Sequence, residues 1–180
     1  MITEMIQNSM QLFENALTYL KDNYKSYHFF VERDIVWTLQ LYMIKEVETQ
    51  QLPFKIYDNH KFVKGKQADL VILNKDQSID TLVEMKYEPD HMRANVDIFA
   101  GKFPRVYWNS KRDGGVEPDI VQVRSFVEQG FASLGFSIFI DEGSHFFRKT
   151  APEGSMWVNW GQSPYSNKII SVLISKFTSL

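Results

Sequence analysis

Three strand candidates, near residues 54–63, 67–73 and 79–87, follow one another with only short polar turns between them. Parallel neighbours need a long crossover, whereas a turn of a few residues can join antiparallel ones. The spacing therefore predicts an antiparallel three-stranded meander, around which the rest of the chain must pack. Two helices precede it. Ile2, Met5, Ile6, Phe13, Leu17 and Leu20 recur at helical spacing over about 2–21, and Asp22 to Ser26 break the pattern. A second helix is predicted from about Val31 to Thr49, ending before Pro53.

After the meander, Pro89-Asp90 marks a turn opening a short helix near 91–101, and Asn109 to Gly115 reads as a loop. Pro118 suits the first turn of another helix, with Ile120, Val123, Val127, Phe131 and Leu134 as its apolar stripe and Gly135 as its terminator. Phe136 to Ile140 reads as a strand, Asp141 to Ser144 as a turn, and 145–148 as a shorter strand. Ser163-Pro164 is expected to start a final helix carrying Ile169, Ile170, Val172, Leu173 and Phe177. This order predicts an α/β fold with helices flanking a central mixed sheet, in one domain spanning 1–180.

The formal charge of −2 neither favours nor excludes a nucleic-acid partner, because a local basic track matters more than the total. The chain has no cysteine, so any metal must use oxygen or imidazole ligands. The four histidines are scattered and show no metal-ligand spacing, although His91 can reach back from the turn after Pro89. No apolar run approaches the roughly 18 residues of a membrane span. Met1-Ile2-Thr3-Glu4 lacks the basic start of a signal peptide, so a cytoplasmic protein without membrane contact is expected. There is no nucleophile elbow, Walker loop or dinucleotide fingerprint.

Chemistry concentrates in Glu84-Met85-Lys86, the only acid-x-lysine in the chain. In a strand, Glu84 and Lys86 project from one face, and Asp69 opens the neighbouring run Leu70-Val71-Ile72-Leu73. Two acids and a lysine on adjacent strands can hold a divalent cation with a water beside it. On the second helix, Glu32 lies four, seven and eleven residues before Val36, Leu39 and Met43, in the middle of the apolar face. A carboxylate aimed inward is expensive unless a partner or metal compensates it. Each residue also has an ordinary reading: a surface ion pair for Glu84, a turn end for Asp69, and a helix-dipole contact for Glu32.

Together, the helical Glu32, Asp69 on the middle strand of a meander and Glu84-x-Lys86 on the next strand resemble the PD-(D/E)xK nuclease superfamily. The resemblance covers about Val31 to Lys86, and Ala68 stands where the signature has proline. It implies a restriction-endonuclease-like core and a metal-dependent nuclease hydrolysing phosphodiester bonds, with DNA the expected substrate. It further implies Mg2+ (or Mn2+) held by Asp69 and Glu84, Glu32 assisting the metal, and Lys86 positioning or activating the attacking water. Glu88, on the same strand parity, is a further acid that can support the site.

Cations for the phosphate backbone are Lys64, Lys66, Arg93, Lys102 and Arg105, with Lys111 and Arg112 as a loop clamp. Met156-Trp157-Val158-Asn159-Trp160 and Tyr165 either cover the sheet edge and core or stack bases. A homodimer is a further expectation, since many enzymes that cut two strands are dimers. The alternative is a non-catalytic interaction or regulatory protein on the same kind of fold, to which the weak overall basicity and the aromatics point.

Overall fold

The computed structural model of the chain describes residues 7–95, 105–110 and 114–179. Helix α1 runs Ser9–Asn23 and α2 Glu32–Gln50. The meander follows as β1 (Lys55–Val63), β2 (Lys66–Leu73) and β3 (Ile79–Glu88). Short 3-10 stretches at Tyr24–Ser26 and His91–Asn95 precede α2 and α3 (Val116–Glu128), and the described chain closes with β4 (Leu134–Asp141), β5 (Ser155–Gln162) and β6 (Ile169–Thr178). The six strands form one mixed sheet in the order β1-β2-β3-β4-β6-β5. Only β3 and β4 are parallel, with Glu84 opposite Ser137 and Glu88 opposite Asp141. The other pairs are antiparallel, and for β1–β2 and β2–β3 this follows from the short links between them.

Local chemistry sets the helix ends. The Asn8 side chain accepts the Gln11 N–H at 2.9 Å and starts α1 at Ser9, while residues 2–6 of the expected helix lie outside the described residues. Asp34 accepts the N–H groups of Phe30 and Val31, tying down the entry to α2. Helix α3 begins two residues before Pro118, with Glu117 and Asp119 in its first turn, where the dipole favours negative charge. It stops at Gly130, whose φ of 74° follows a wrapped last turn closed by the Phe131 N–H on the Phe126 carbonyl. Gly135, the expected terminator, instead lies inside β4. A Cβ there would stand 2.6 Å from Val123 Cγ1 and 2.8 Å from Val127 Cγ2, so the glycine lets α3 lie directly on the strand.

Strand alternation gives the sheet two different faces. Val83, Met85 and Tyr87 of β3 pack with Leu70, Ile72, Ile138 and Ile140 against α1 and α2. Leu82 of β3 and Val71 and Leu73 of β2 pack against Val123 and Phe126 of α3. Further along that face, Val116 and Ile120 meet Phe139, Leu173 and Trp108. The helical layers of α2 and α3 therefore lie on opposite sides of β3.

Two further expectations fail. The predicted final helix is strand β6, and the predicted strand at 145–148 is a run of turns and bends. Strand β6 is buried on both faces, with Ile170 and Val172 on one side and Leu173 on the other, so its near-continuous apolar run imitates helical spacing. Its partner β5 is the Met156–Trp160 segment at the sheet edge. Trp160 joins the core beside Tyr24, and Trp157 stacks with Trp108, which is the covering role and leaves these rings committed to packing.

Candidate active site

Asp69 and Glu84 meet where the β2–β3 ladder ends. Pairing runs from Leu73↔Ile79 to Leu70↔Val83. One residue further, Asp69 Oδ2 accepts the Met85 N–H at 2.8 Å, replacing a backbone partner with a carboxylate. Glu84 faces the α3 side and is 8 % exposed. Burial, then the charge of Asp69 and a hydrogen bond shared with it, then Asp119, push the Glu84 carboxyl up to about 10. Its Oε1 is buried with no hydrogen-bond partner.

Lys86 lies two residues on. Its Nζ is 3.0 Å from Asp119 Oδ2, 3.5 Å from Glu32 Oε2 and donates to the Met85 carbonyl at 3.1 Å. Burial pulls the lysine pKa down, but the carboxylates of Glu32, Asp119 and Asp69 outweigh it and raise the pKa above its ordinary value. The ammonium is therefore locked in its charged form. Glu32, at the first residue of α2, is half buried. Burial pushes it up to about 7 against the pull of Lys86, with Asp69 and Asp119 adding repulsion. Burial likewise raises Asp119, again opposed by Lys86.

Glu32, Asp69 and Lys86 line one cleft of about 480 Å³, together with Arg33, Asn59 and Arg105. All four residues singled out in the sequence thus converge, and Glu32 reaches the site through Lys86. Among the described residues these acids do not place three carboxylate oxygens within 4.8 Å of one another. Glu32 is accordingly the counter-ion of the lysine, and the oxygen pair suited to a metal is Asp69 with Glu84. Magnesium, which the sequence resemblance implies, takes only oxygen ligands, uses one or two carboxylates and keeps several waters. Two carboxylates, one of them with an orphaned buried oxygen, fit that requirement.

The expected phosphate contacts divide. Arg105 is exposed and lines the cleft, and Lys64 is exposed in the β1–β2 turn. Lys66 lies over the rings of Phe126 and Phe131, 5.0 and 4.7 Å from their centroids, so its charge is held against α3. Arg93 requires correction. It is fully buried, donates to the Phe29 carbonyl and to Tyr87 Oη, and sits 3.5 Å from Glu142, a place no phosphate backbone can reach. Lys102, Lys111 and Arg112 lie outside the described residues.

Asp119 is the site residue that sequence reasoning overlooked. The signal was available: Asp119, Val123 and Phe126 are spaced by four and seven, which places the acid on the buried face of α3 by the same reasoning that singled out Glu32. Among the described residues no helix is long and apolar enough to cross a membrane. No protein-family model, curated protein or solved structure matches the chain.

Proposed function

We propose that the chain is a metal-dependent nuclease with a restriction-endonuclease-like core that hydrolyses phosphodiester bonds, with DNA as substrate. The observation that carries this reading is the convergence, at one end of the β2–β3 ladder, of the half-buried Asp69, the buried Glu84 and a lysine whose charged form its neighbours favour. Mg2+ or Mn2+ held by Asp69 and Glu84 would lower the pKa of a bound water and offset charge on the phosphoryl oxygens. Lys86, fixed by Asp119, Glu32 and the Met85 carbonyl, stays protonated, so it acts as a donor that orients water or stabilises developing charge and not as a base. Glu32 is the cleft carboxyl poised nearest neutrality and is suited to accept the proton lost by water. Arg33 and Arg105 offer the cleft's cations to phosphate.

The direct test incubates plasmid and oligonucleotides with the full chain in Mg2+ or Mn2+. Cleavage is expected from the wild type, reduced roughly 10²–10³-fold in Asp69→Ala and in Lys86→Ala. Equal cleavage by all three proteins would remove the assignment. Sedimentation in the same buffers reports whether the active species is the dimer that two-strand cutting favours. Should calorimetry find no Mg2+ uptake dependent on Asp69 and Glu84, the chain is instead a non-catalytic interaction protein.

A further inference from the structure

Strand β3 carries a second acid beyond Lys86 on the same face. Glu88 is almost wholly buried, its side chain only 3 % exposed. One carboxylate oxygen, Oε1, lies 2.5 Å from His91 Nε2, and the other accepts the Val106 N–H at 2.5 Å. His145, from the turn after β4, stacks on His91 with ring centroids 3.9 Å apart. A carboxylate oxygen and two imidazole nitrogens thus lie within 4.8 Å of one another, the only such group of three among the described residues.

The backbone is arranged to deliver that histidine. Parallel register brings Glu88 level with Asp141, so both strands end side by side. Asp141, fully buried, accepts the N–H groups of His145 and Phe146 at 2.9 and 2.6 Å and fixes the turn. A Cβ on Gly143 would stand 2.5 Å from His145 Nε2, although Gly143 has no positive φ. The glycine therefore makes room for the ring and is not there for the backbone. The Glu88–His91 hydrogen bond accounts for two of the three groups. It gives no reason for a third donor at the same point.

We propose that Glu88, His91 and His145 form a binding site for a borderline transition-metal ion of the Zn2+ class, separate from the Asp69–Glu84 oxygen pair. Two neutral imidazoles and one carboxylate are a recurrent zinc donor set that leaves a fourth position for water. Imidazole ligands select zinc-like ions over magnesium, whose preference is for oxygen. His91 is 38 % exposed at its side chain, which gives the ion a path to solvent. Lys168 and Arg105 also face His145, and their charge is countered locally by Asp90 together with Glu88 and Asp141. An ion here would clasp the end of β3 to the turn after β4.

The test uses the full, untagged chain stripped with chelator, titrated with ZnCl2 by calorimetry and with CoCl2 by visible absorption. One equivalent of Zn2+ is expected, a tetrahedral cobalt spectrum, and a melting temperature that Zn2+ raises in Asp69→Ala as in the wild type and that His91→Ala largely loses. His91→Ala, at a half-exposed position where folding is not at stake, should weaken Zn2+ binding at least about tenfold, as should His145→Ala and Glu88→Gln. His28→Gln, His60→Gln and Asp69→Ala should bind Zn2+ like the wild type, which separates this site from the nuclease centre. Absence of stoichiometric Zn2+ uptake by the wild type, or uptake by His91→Ala indistinguishable from it, would overturn the proposal.

Discussion

At the scale of single residues, the site is a set of carboxyls whose charges do not suit one another without a cation. Glu84, held at about 10 by burial and by Asp69, keeps its proton at neutrality in the metal-free chain. Below its ordinary value, near 4.5, Glu84 is protonated in both folded and unfolded states and contributes nothing to the pH dependence. As pH rises further, only the unfolded chain ionises, so stability falls, with the full cost reached above the folded value. Glu84→Gln should therefore stabilise the metal-free protein by roughly 1–3 kcal/mol at about pH 8, with the gain vanishing toward about pH 5, measured by urea unfolding in chelator. A metal ligand must be deprotonated, so Mg2+ affinity should rise with pH across neutrality. Calorimetry in buffers of different ionisation heat should show about one proton released per ion. Glu32, Asp69, Glu84 and Lys86 were legible in the sequence because strand parity and helical phase each state a direction. Arg93 was not, since its charge looks the same in the chain whether it meets phosphate or a buried Glu142.

At the scale of elements, the meander was readable because two-residue alternation and short links leave a single solution. The C-terminal third was harder. A strand buried on both faces carries apolar residues in positions that also suit a helix, and only the β-branched run Ile169-Ile170, Val172 and Ile174 distinguished β6. Gly135 misleads for a related reason: a glycine near a helix end reads as a terminator, whereas here it is the contact point between α3 and β4. Gly135→Ala should cost about 1–3 kcal/mol in urea unfolding through overpacking against Val123 and Val127. The shift of α3 should also disturb the Asp119–Lys86 pair, so any cleavage activity should fall along with stability. The grouping of Glu88 and His91 with His145 was not legible because they come from a strand end, a 3-10 stretch and the turn after β4, brought together by the parallel pairing of β3 with β4.

For the whole molecule, a buried polar hub ties together elements that also share the larger hydrophobic core. Glu142 accepts from Tyr24, Tyr87 and the Asp90 N–H, while Arg93 bridges Tyr87, Glu142 and the Phe29 carbonyl. The hub draws the end of α1, the segment before α2 and the exit from β3 to one point. Arg93→Met should cost roughly 3–5 kcal/mol by leaving the buried Glu142 carboxyl without its cation, and adding Glu142→Gln should recover part of that loss in a double-mutant cycle.

Lys86 is gripped by Glu32 from the layer on one side of the sheet and by Asp119 from the layer on the other. Sliding α3 past the strands, or tilting the first turn of α2, stretches one of these two tethers. The ammonium is thus a gauge of shear between the layers, and a ligand that wedges them apart would unseat it without ever touching it.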